Sequence, residues 1–429
     1  MASVSGKAAA PSRRFLFGLL FVVMLVVAAG NTALQSVIPA LGRVLGVPDT
    51  VVALSFSLSA LVWALCAPFW AKRSDKTGRK NMVVLGLAGF VVSLSSSAIS
   101  LSLGLAGAIA PISTFLLFVA TRTIYGLFGA ATPPAAQAIV AVRTSRAERT
   151  NALTLLSSAF GLGTILGPAL APFFVLGFVG LAGPAYFFAV VGVVTLVAAM
   201  RMLPADSPGD QGRGVAASEP SIGGEPSGAT VIAAVNQQSE ALLALRDPRT
   251  WPWIVVGLIS GHAQAMSSQA MGFLIIDRLG QPPLEAQPMI GLVLMAGAGT
   301  ALLAQWGIIP RLNLTPARMV LWGAIIGAIG CAAIALSGTL HALAVSFAIA
   351  SLGFGFLRPG FTAGSSLAVG SREQAQVAGR VTAINGWVYV LGPFVGIGLY
   401  QVDQHLPYLL SSMILIVAAL YAKRRLVRD

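Results

Sequence analysis

Twelve long apolar stretches dominate this sequence of 429 residues, and each can cross a lipid bilayer as a helix. Such a crossing needs about 20 apolar residues. Only 10% of the residues are charged, whereas soluble proteins contain about 25%. The stretches lie at roughly 15–40, 51–71, 82–104, 111–141, 152–178, 184–202, 251–277, 287–309, 318–338, 341–368, 377–400 and 407–422. The sequence therefore predicts an all-α membrane protein with twelve transmembrane helices, and it excludes disordered, collagen-like and disulfide-stabilised chains.

Basic residues lie almost entirely on one side of the predicted helices. The chain has 27 Lys and Arg and a formal net charge of +13. Only Arg43 and Arg278 fall on the opposite side, while Arg122 and Arg358 fall within helices. Because cytoplasmic loops are enriched in Lys and Arg, both termini are predicted to be cytoplasmic. The positive charge thus reflects the orientation of the helices in the membrane and does not indicate nucleic-acid binding. The compact loops indicate a bacterial inner membrane. We expect a monomer in the lipid bilayer.

The arginine pair Arg13-Arg14 precedes the first apolar stretch. This pair is similar to a twin-arginine export signal. A basic flank that anchors the first helix on the cytoplasmic side is the favoured interpretation, because eleven further spans follow.

A segment of different composition separates two sets of six helices. Residues 203–250 are rich in Gly, Pro, Ser and acidic residues, which is typical of a flexible linker. Its end, at 229–246, is either a short amphipathic surface helix or plain linker. The predicted domains are a six-helix bundle at 1–202, a cytoplasmic linker at 203–250 and a second six-helix bundle at 251–429.

The two predicted bundles resemble each other. Gln35 and Gln269 occupy matching places, since each is followed ten residues later by Leu-Gly. We call the spacing between these two glutamines the repeat interval. Glycine-proline pairs also match between the halves at nearly the same spacing, as Gly167-Pro168 and Gly392-Pro393. Such repeats predict two pseudo-symmetric bundles that rock about a central site.

The loop between the second and third predicted helices carries a recognisable pattern. It reads Ala71-Lys72-Arg73-Ser74-Asp75-Lys76-Thr77-Gly78-Arg79-Lys80. Gly78 permits a tight turn, and Asp75 can pair with an arginine near a helix end. The loop resembles the signature of the major facilitator superfamily, G-x-x-x-D-R/K-x-G-R-K/R, with Ala71 in place of the first glycine. The resemblance implies a conformational-gating role for Asp75, Gly78 and Arg79, and a loop that only carries topology charge is the alternative.

Two further motifs extend the resemblance. Arg122 and Gly126 match the family pattern R-x-x-x-G on the fourth helix, where the arginine either takes part in proton coupling or bonds to the first helix. Gly163, Gly167 and Pro168 resemble the G-x-x-x-G-P motif of the drug–proton antiporter branch, which includes tetracycline and multidrug exporters. Small residues allow close packing and proline allows a bend. Further residues are therefore expected to take part in conformational gating, namely Gly126, Gly163, Gly167, Pro168, Gly392 and Pro393. Generic packing is the alternative, since Ala171-Pro172 replaces the motif's final glycines.

The resemblance implies a central cavity lined by helices 1, 4, 7 and 10. We expect substrate-binding residues there, namely Asn31, Gln35, Arg122, His262, Gln269, Phe354, Arg358 and Trp387. Two arginines in one cavity favour an anionic substrate. The alternatives are hydrogen bonds between helices for the amide side chains, snorkelling for Arg358 and core packing for the aromatic residues.

Candidates for proton coupling are few. No acidic residue lies in the middle of a predicted helix, whereas many exporters of the resembling type carry a buried carboxylate. His262, Asp277 and Asp75 remain as candidates, and a hydrogen-bonded structural histidine is the alternative for His262. Cys66 and Cys331 show no metal-binding spacing, so no metal and no cofactor are expected.

These features predict a secondary transporter that works by alternating access. The favoured function is export of an amphipathic organic small molecule in exchange for protons. Proton-coupled uptake of an organic anion or a small peptide-like solute is the alternative. A membrane enzyme would need clustered nucleophiles at a membrane face, and a channel would need a filter-like loop or a charge ring. The sequence shows neither.

Overall fold

The computed structural model describes residues 13–143, 146–204, 244, 246–369 and 373–427. These residues form twelve helices and contain no strand, which confirms the predicted fold class. Most of the predicted linker, with its possible surface helix at 229–246, lies outside the described residues.

The first half of the chain contains α1 to α6. Their bounds are Arg13–Val44 for α1, Asp49–Thr77 for α2, Arg79–Leu105 for α3, Pro111–Ile124 continued by Tyr125–Gly129 and Thr132–Val142 for α4, Arg146–Leu170 for α5, and Gly183–Met202 for α6. A short 3₁₀ turn, Ala171–Phe174, follows α5.

The second half contains α7 to α12. Their bounds are Trp251–Leu279 for α7, Pro283–Leu302 continued by Leu303–Ile308 and Ile309–Leu312 for α8, Pro316–Leu336 for α9, Leu340–Leu367 for α10, Gln374–Val402 for α11, and Leu406–Arg425 for α12. We call the face with the start of α1 and the end of α12 the terminal face, and the opposite one the far face.

In the part of the chain that the structure describes, ten helices are long and apolar enough to cross a membrane. The helix α7 is not among them. Six Ser, His and Gln residues lie between positions 260 and 269 of α7. A helix with this polarity is stable in a membrane when its polar residues face a protein interior or a water-filled cavity. The polarity of α7 therefore points toward the functional site.

Glycines allow α5 to pack closely against α1. A methyl group added at Gly163 would lie 2.5 Å from the carbonyl oxygen of Leu25, and one at Gly167 would overlap Thr32 Oγ1. The matching glycine of the second half, Gly392, meets Ala265 of α7 in the same way. Small residues at such positions let two helix backbones approach.

We expect Gly167→Ala to destabilise the protein by about 1–3 kcal/mol, because the added methyl group overpacks the contact between α5 and α1. Gly299→Ala on α8 is the matched control, since nothing lies within 4 Å of its added methyl group. Thermal unfolding of the two purified variants measures the difference. Equal melting temperatures would contradict the packing role.

Among the described residues the two halves touch mainly along four helix pairs, which are α1–α7, α1–α8, α2–α11 and α5–α8, and the 3₁₀ turn after α5 also contacts α8. The close contacts come from glycines. A methyl group at Gly272 would lie 2.5 Å from Pro39 Cγ, and one at Gly291 would lie 2.7 Å from the carbonyl oxygen of Pro168. Both contacts lie in the far-face part of the helices, so the halves are packed together there.

Candidate functional site

A cavity lies between the two halves, and we call it the inter-half cavity. Its polar side chains are Thr32 and Gln35 from α1 together with Ser268 and Gln269 from α7. Apolar residues from both halves complete its wall, namely Pro39, Pro168, Gly272, Ile290, Leu294, Ala298 and Phe347. The structure thus brings the matched glutamines Gln35 and Gln269 into one site. An apolar wall with a few uncharged polar groups suits an amphipathic molecule.

A cluster of charged residues joins the halves at the far face, and we call it the far-face cluster. Arg43 Nη2 at the end of α1 donates to Asp277 Oδ2 on α7 at 3.0 Å and to Asp49 Oδ2 on α2 at 2.9 Å. The hydroxyl of Tyr400 donates to Asp277 Oδ2 at 2.6 Å. Two acidic groups therefore share one guanidinium, and the Arg43–Asp277 bond links α1 to α7.

The α1–α7 contact follows the repeat in the sequence. Arg43 and Asp277 are separated by the repeat interval, the same spacing that separates Gln35 from Gln269. The next glycines at this interval, Gly46 and Gly280, both have positive φ, at 66° and 60°. Equivalent positions meet near a two-fold axis. Identical charges would repel there, whereas Arg43 and Asp277 attract.

A second pocket, the arginine pocket, lies within the first half. Arg122 of α4 lines it, together with the polar residues Asn31, Gln35 and Ser55 and the apolar residues Leu34, Ile38 and Phe56. Arg122 is 5% exposed. Its Nη2 donates to Asn31 Oδ1, and its guanidinium carbon lies 5.1 Å from the centre of the Tyr125 ring. The bond to helix 1, which is one of the two predicted roles of Arg122, is present, and its acceptor is the side-chain amide oxygen of Asn31.

Arg358 lines a different pocket. Its neighbours there include Gln264 of α7 and Asn385 of α11, and none of the lining residues belongs to the arginine pocket. The expectation of two arginines in one cavity is therefore not met, because Arg358 lies on the side of α10 that faces α7 and α11. The guanidinium of Arg122 alone then favours an anionic substrate.

Three other predicted binding residues lie outside these pockets. His262 is half-buried, and its Nδ1 lies 2.8 Å from the carbonyl oxygen of Leu258, one turn earlier on α7. Phe354 is 1% exposed and packs in the core near Gly327 of α9. Trp387 is 56% exposed. None of the three lines a described cavity.

Most of the predicted gating loop is helical, because α2 continues to Thr77, and only a tight turn at Gly78 separates α2 from α3. Gly78 has a φ of 93°, a conformation that favours glycine. Arg79 is buried at the start of α3. The side chain of Asp75 lies outside the described residues. Farther along the chain, Gly126 packs α4 against α2, since a methyl group there would lie 2.6 Å from the carbonyl oxygen of Ser59.

A group of ion pairs at the terminal face holds α7 to α11. Arg249 donates to Asp247 and to Glu373, which precede α7 and α11, at distances of 2.9 and 2.7 Å. The hydrogen bonds from Arg249 hold the pKa of Asp247 below its usual range. A carboxyl group with a depressed pKa stays ionised at neutral pH and loses its contribution only as the pH falls through that value. Physiological changes in pH therefore leave this group intact.

A bundle of apolar helices around a largely apolar cavity with a few polar groups, whose halves are joined at one face by an ion pair, is typical of a polytopic membrane transporter. The family model described as the Major Facilitator Superfamily matches residues 20–316, and the chain belongs to that family. Members of this family transport small molecules and are not enzymes. A membrane enzyme is therefore excluded as an alternative function.

Several known proteins resemble the chain. Multidrug resistance protein 2 of Bacillus subtilis (strain 168) is 23% identical over 94% of both chains. Tetracycline resistance protein, class B, of Escherichia coli is 28% identical over 42% of both chains. The crystal structure of the human organic anion transporter MFSD10 (TETRAN) matches with a TM-score of 0.66 and 18% identity, over 96% of this chain and all of that one. The predicted resemblance to drug exporters is confirmed.

Sequence reasoning missed the far-face cluster. Arg43 stands out in the sequence only as a basic residue on the sparsely charged side, and Asp49 and Tyr400 carry no motif. The available signal was the repeat interval, which Arg43 and Asp277 share with the two glutamines. When the repeat interval is applied along the whole of α1 and α7, it pairs Arg43 with the oppositely charged Asp277.

Proposed function

We propose that the chain exports amphipathic organic molecules in exchange for protons, by alternating access. The inter-half cavity supports this proposal best, because side chains from both halves line it and the far-face cluster joins the same two halves at one face. A site shared by two rocking bundles is exposed to one side of the membrane and then to the other. The bundles comprise 1–202 and 251–429, joined by the linker at 203–250.

The proposed orientation places the terminal face in the cytoplasm. The basic loops of that face support this orientation, and Arg43 and Arg278 are the exceptions at the far face. The transporter then acts as a monomer in the inner membrane of a bacterium, with both termini in the cytoplasm. In this orientation the cluster of Arg43, Asp49, Asp277 and Tyr400 is an outer gate, and the structure corresponds to the state closed to the outside.

Exchange for protons requires a group that binds and releases them. Asp277 is the candidate with the best position, because it lies on the seam between α1 and α7 and its side chain is 34% exposed. His262, on the same helix, and Asp75, near the end of α2, are the other two. Asp277 combines an acidic group with a contact that has to break when the far face opens.

Everted membrane vesicles test the proposed export. A respiration-driven proton gradient that is acid inside is read with a pH-sensitive dye, and amphipathic cations, neutral molecules and carboxylates are added in turn. We expect at least one class to release dye fluorescence as protons leave the vesicle, and we expect Asp277→Asn to abolish the release. Gln281→Asn, at an exposed position after α7, is the control that should leave it unchanged.

Uptake of an organic anion together with protons is the second candidate function, and the buried Arg122 favours it. Uptake would move the anion with the protons instead of against them. The same vesicles separate the two directions, because symport gives accumulation of a labelled anion only when the acid side is outside. Accumulation of that kind, with no dye release by any compound, would replace export by uptake.

A further inference from the structure

The positive charge of Arg122 has no acidic partner in the part of the chain that the structure describes. Arg122 Nη1 is buried and makes no hydrogen bond. Its other terminal nitrogen binds the amide of Asn31, which carries no charge. A buried charge is costly unless an opposite charge or several hydrogen bonds compensate it. The arginine pocket therefore has one charge and one donor left for a ligand.

The arginine pocket and the inter-half cavity meet at one side chain. Gln35 lines both of them. The neighbouring residue Leu34 and the ring of Phe56 give the arginine pocket an apolar side, and Pro39 continues an apolar path along α1 into the inter-half cavity. A single molecule can therefore lie across Gln35 with its ends in different surroundings, one charged and one apolar.

We propose that the substrates are amphipathic organic monoanions. The acidic group binds Arg122 beside Asn31 in the arginine pocket, Gln35 contacts the middle of the molecule, and the apolar body fills the inter-half cavity. One guanidinium neutralises one negative charge, which favours monocarboxylates over dianions, and its planar fork fits a carboxylate. This assignment rests on the proposed transport through the inter-half cavity and names the substrate class for it.

Matched pairs of acids and amides test the assignment on the purified full chain in nanodiscs. The probes are 2-naphthoate against 2-naphthamide and decanoate against decanamide, with acetate as an acid that lacks an apolar body. A ligand that binds the folded state raises the melting temperature, which intrinsic tryptophan fluorescence reports. We expect each large acid to bind about tenfold or more tightly than its amide, a difference of about 1.4 kcal/mol, and acetate to bind weakly.

Variants locate the charge that gives this preference. Arg122→Gln should bind acid and amide equally, while Arg122→Lys should keep part of the preference because it retains a charge. Arg358→Gln is the matched control and should keep the full preference, since Arg358 lines the other pocket. Retained amide binding shows that the Arg122→Gln variant is folded. If Arg122→Gln does not fold, Gln35→Ala gives a second test, because it is expected to weaken the binding of acid and amide alike.

Three results would overturn the assignment. They are equal binding of acids and amides by the unaltered protein, no binding of either large acid at millimolar concentration, and an acid preference that survives in Arg122→Gln. Acetate binding as tight as that of decanoate would also overturn it, because the site would then hold a small anion alone. A transport measurement distinguishes failure of this substrate assignment from failure of the proposed export. Export of neutral or cationic compounds without acid binding leaves export standing, whereas acid binding without any transport removes export and leaves the anion site.

Discussion

Reversing either charge of the Arg43–Asp277 pair is expected to open the far face, and reversing both is expected to close it again. Arg43→Asp places a third acidic group beside Asp49 and Asp277, and Asp277→Arg opposes two guanidinium groups. Like charges at an interface repel, with a cost reduced here because both side chains are about a third exposed. We expect each reversal to destabilise the closed far face by about 1–2 kcal/mol, which changes the ratio of closed to open molecules about 5–30-fold.

A cysteine beneath the cluster reports the opening. Ser268 lines the inter-half cavity and is half-buried, so Ser268→Cys is introduced after Cys66 and Cys331 have been replaced by alanine. A membrane-impermeant maleimide is added at the far face, with Val44→Cys, which is 46% exposed there, as the positive control for access. Labelling at position 268 should be slow in the parent, faster in each single reversal and slow again in the double reversal.

The double reversal discriminates between a specific bond and general disturbance. In the double variant the carboxylate at position 43 faces the guanidinium at position 277 with the charges exchanged, as the matching positions of α1 and α7 allow. Coupling of this kind between two sites is what a double-mutant cycle measures. Fast labelling in the double variant, equal to the sum of the two single effects, would contradict the role of the pair as a gate.

Gly272→Leu is expected to hold the far face open and to abolish transport. Gly272 lies against Pro39, and even a methyl group there would come within 2.5 Å of Pro39 Cγ. A leucine side chain cannot fit unless α1 and α7 separate, so the open state becomes the favoured one. A free-energy difference of about 5.5 kcal/mol shifts a two-state equilibrium almost completely from the closed to the open state. The cost of overpacking by the several carbon atoms of leucine approaches this value.

The Ser268→Cys assay in the same cysteine-free background measures this effect, with vesicle transport as the second readout. Gly299→Leu is the control, because the space around Gly299 is open. It adds the same side chain to a transmembrane helix, but at a position outside the contact between α1 and α7. Normal transport by Gly272→Leu, or slow labelling of Ser268→Cys in that variant, would show that α1 and α7 need not meet during the cycle.

The sequence predicts the twelve helices and the placement of several candidate site residues because their signals are local. Apolar length gives the helices, and the glycine of a tight turn gives Gly78, whose φ is 93°. The matched glutamines were predicted for one cavity and lie in one. In each case the pattern within one helix or loop, or the repeat between halves, determines the outcome.

The misplaced predictions depend on how helices rotate and pack. Arg358 and Arg122 both lie on helices expected to line the centre, yet α10 directs Arg358 toward α7 and α11. Phe354 points into the core, and Trp387 lies on an exposed surface of α11. Residue type does not fix these directions, because the packing of neighbouring helices does. Pairs across the seam, such as Arg43 and Asp277, are equally invisible to a local pattern.

The most direct test of the account measures the width of the far face. Spin labels at Val44→Cys, the last residue of α1, and Gln281→Cys, just after α7, flank the far-face cluster, and both positions are exposed. Their separation is measured by double electron–electron resonance in nanodiscs, in the cysteine-free parent, in Arg43→Asp, in Gly272→Leu and in the double reversal. We expect a short distance between the two labels in the parent and in the double reversal, and a longer distance in Arg43→Asp and in Gly272→Leu. The same distance distribution in all four would contradict an outer gate formed by the Arg43–Asp277 pair.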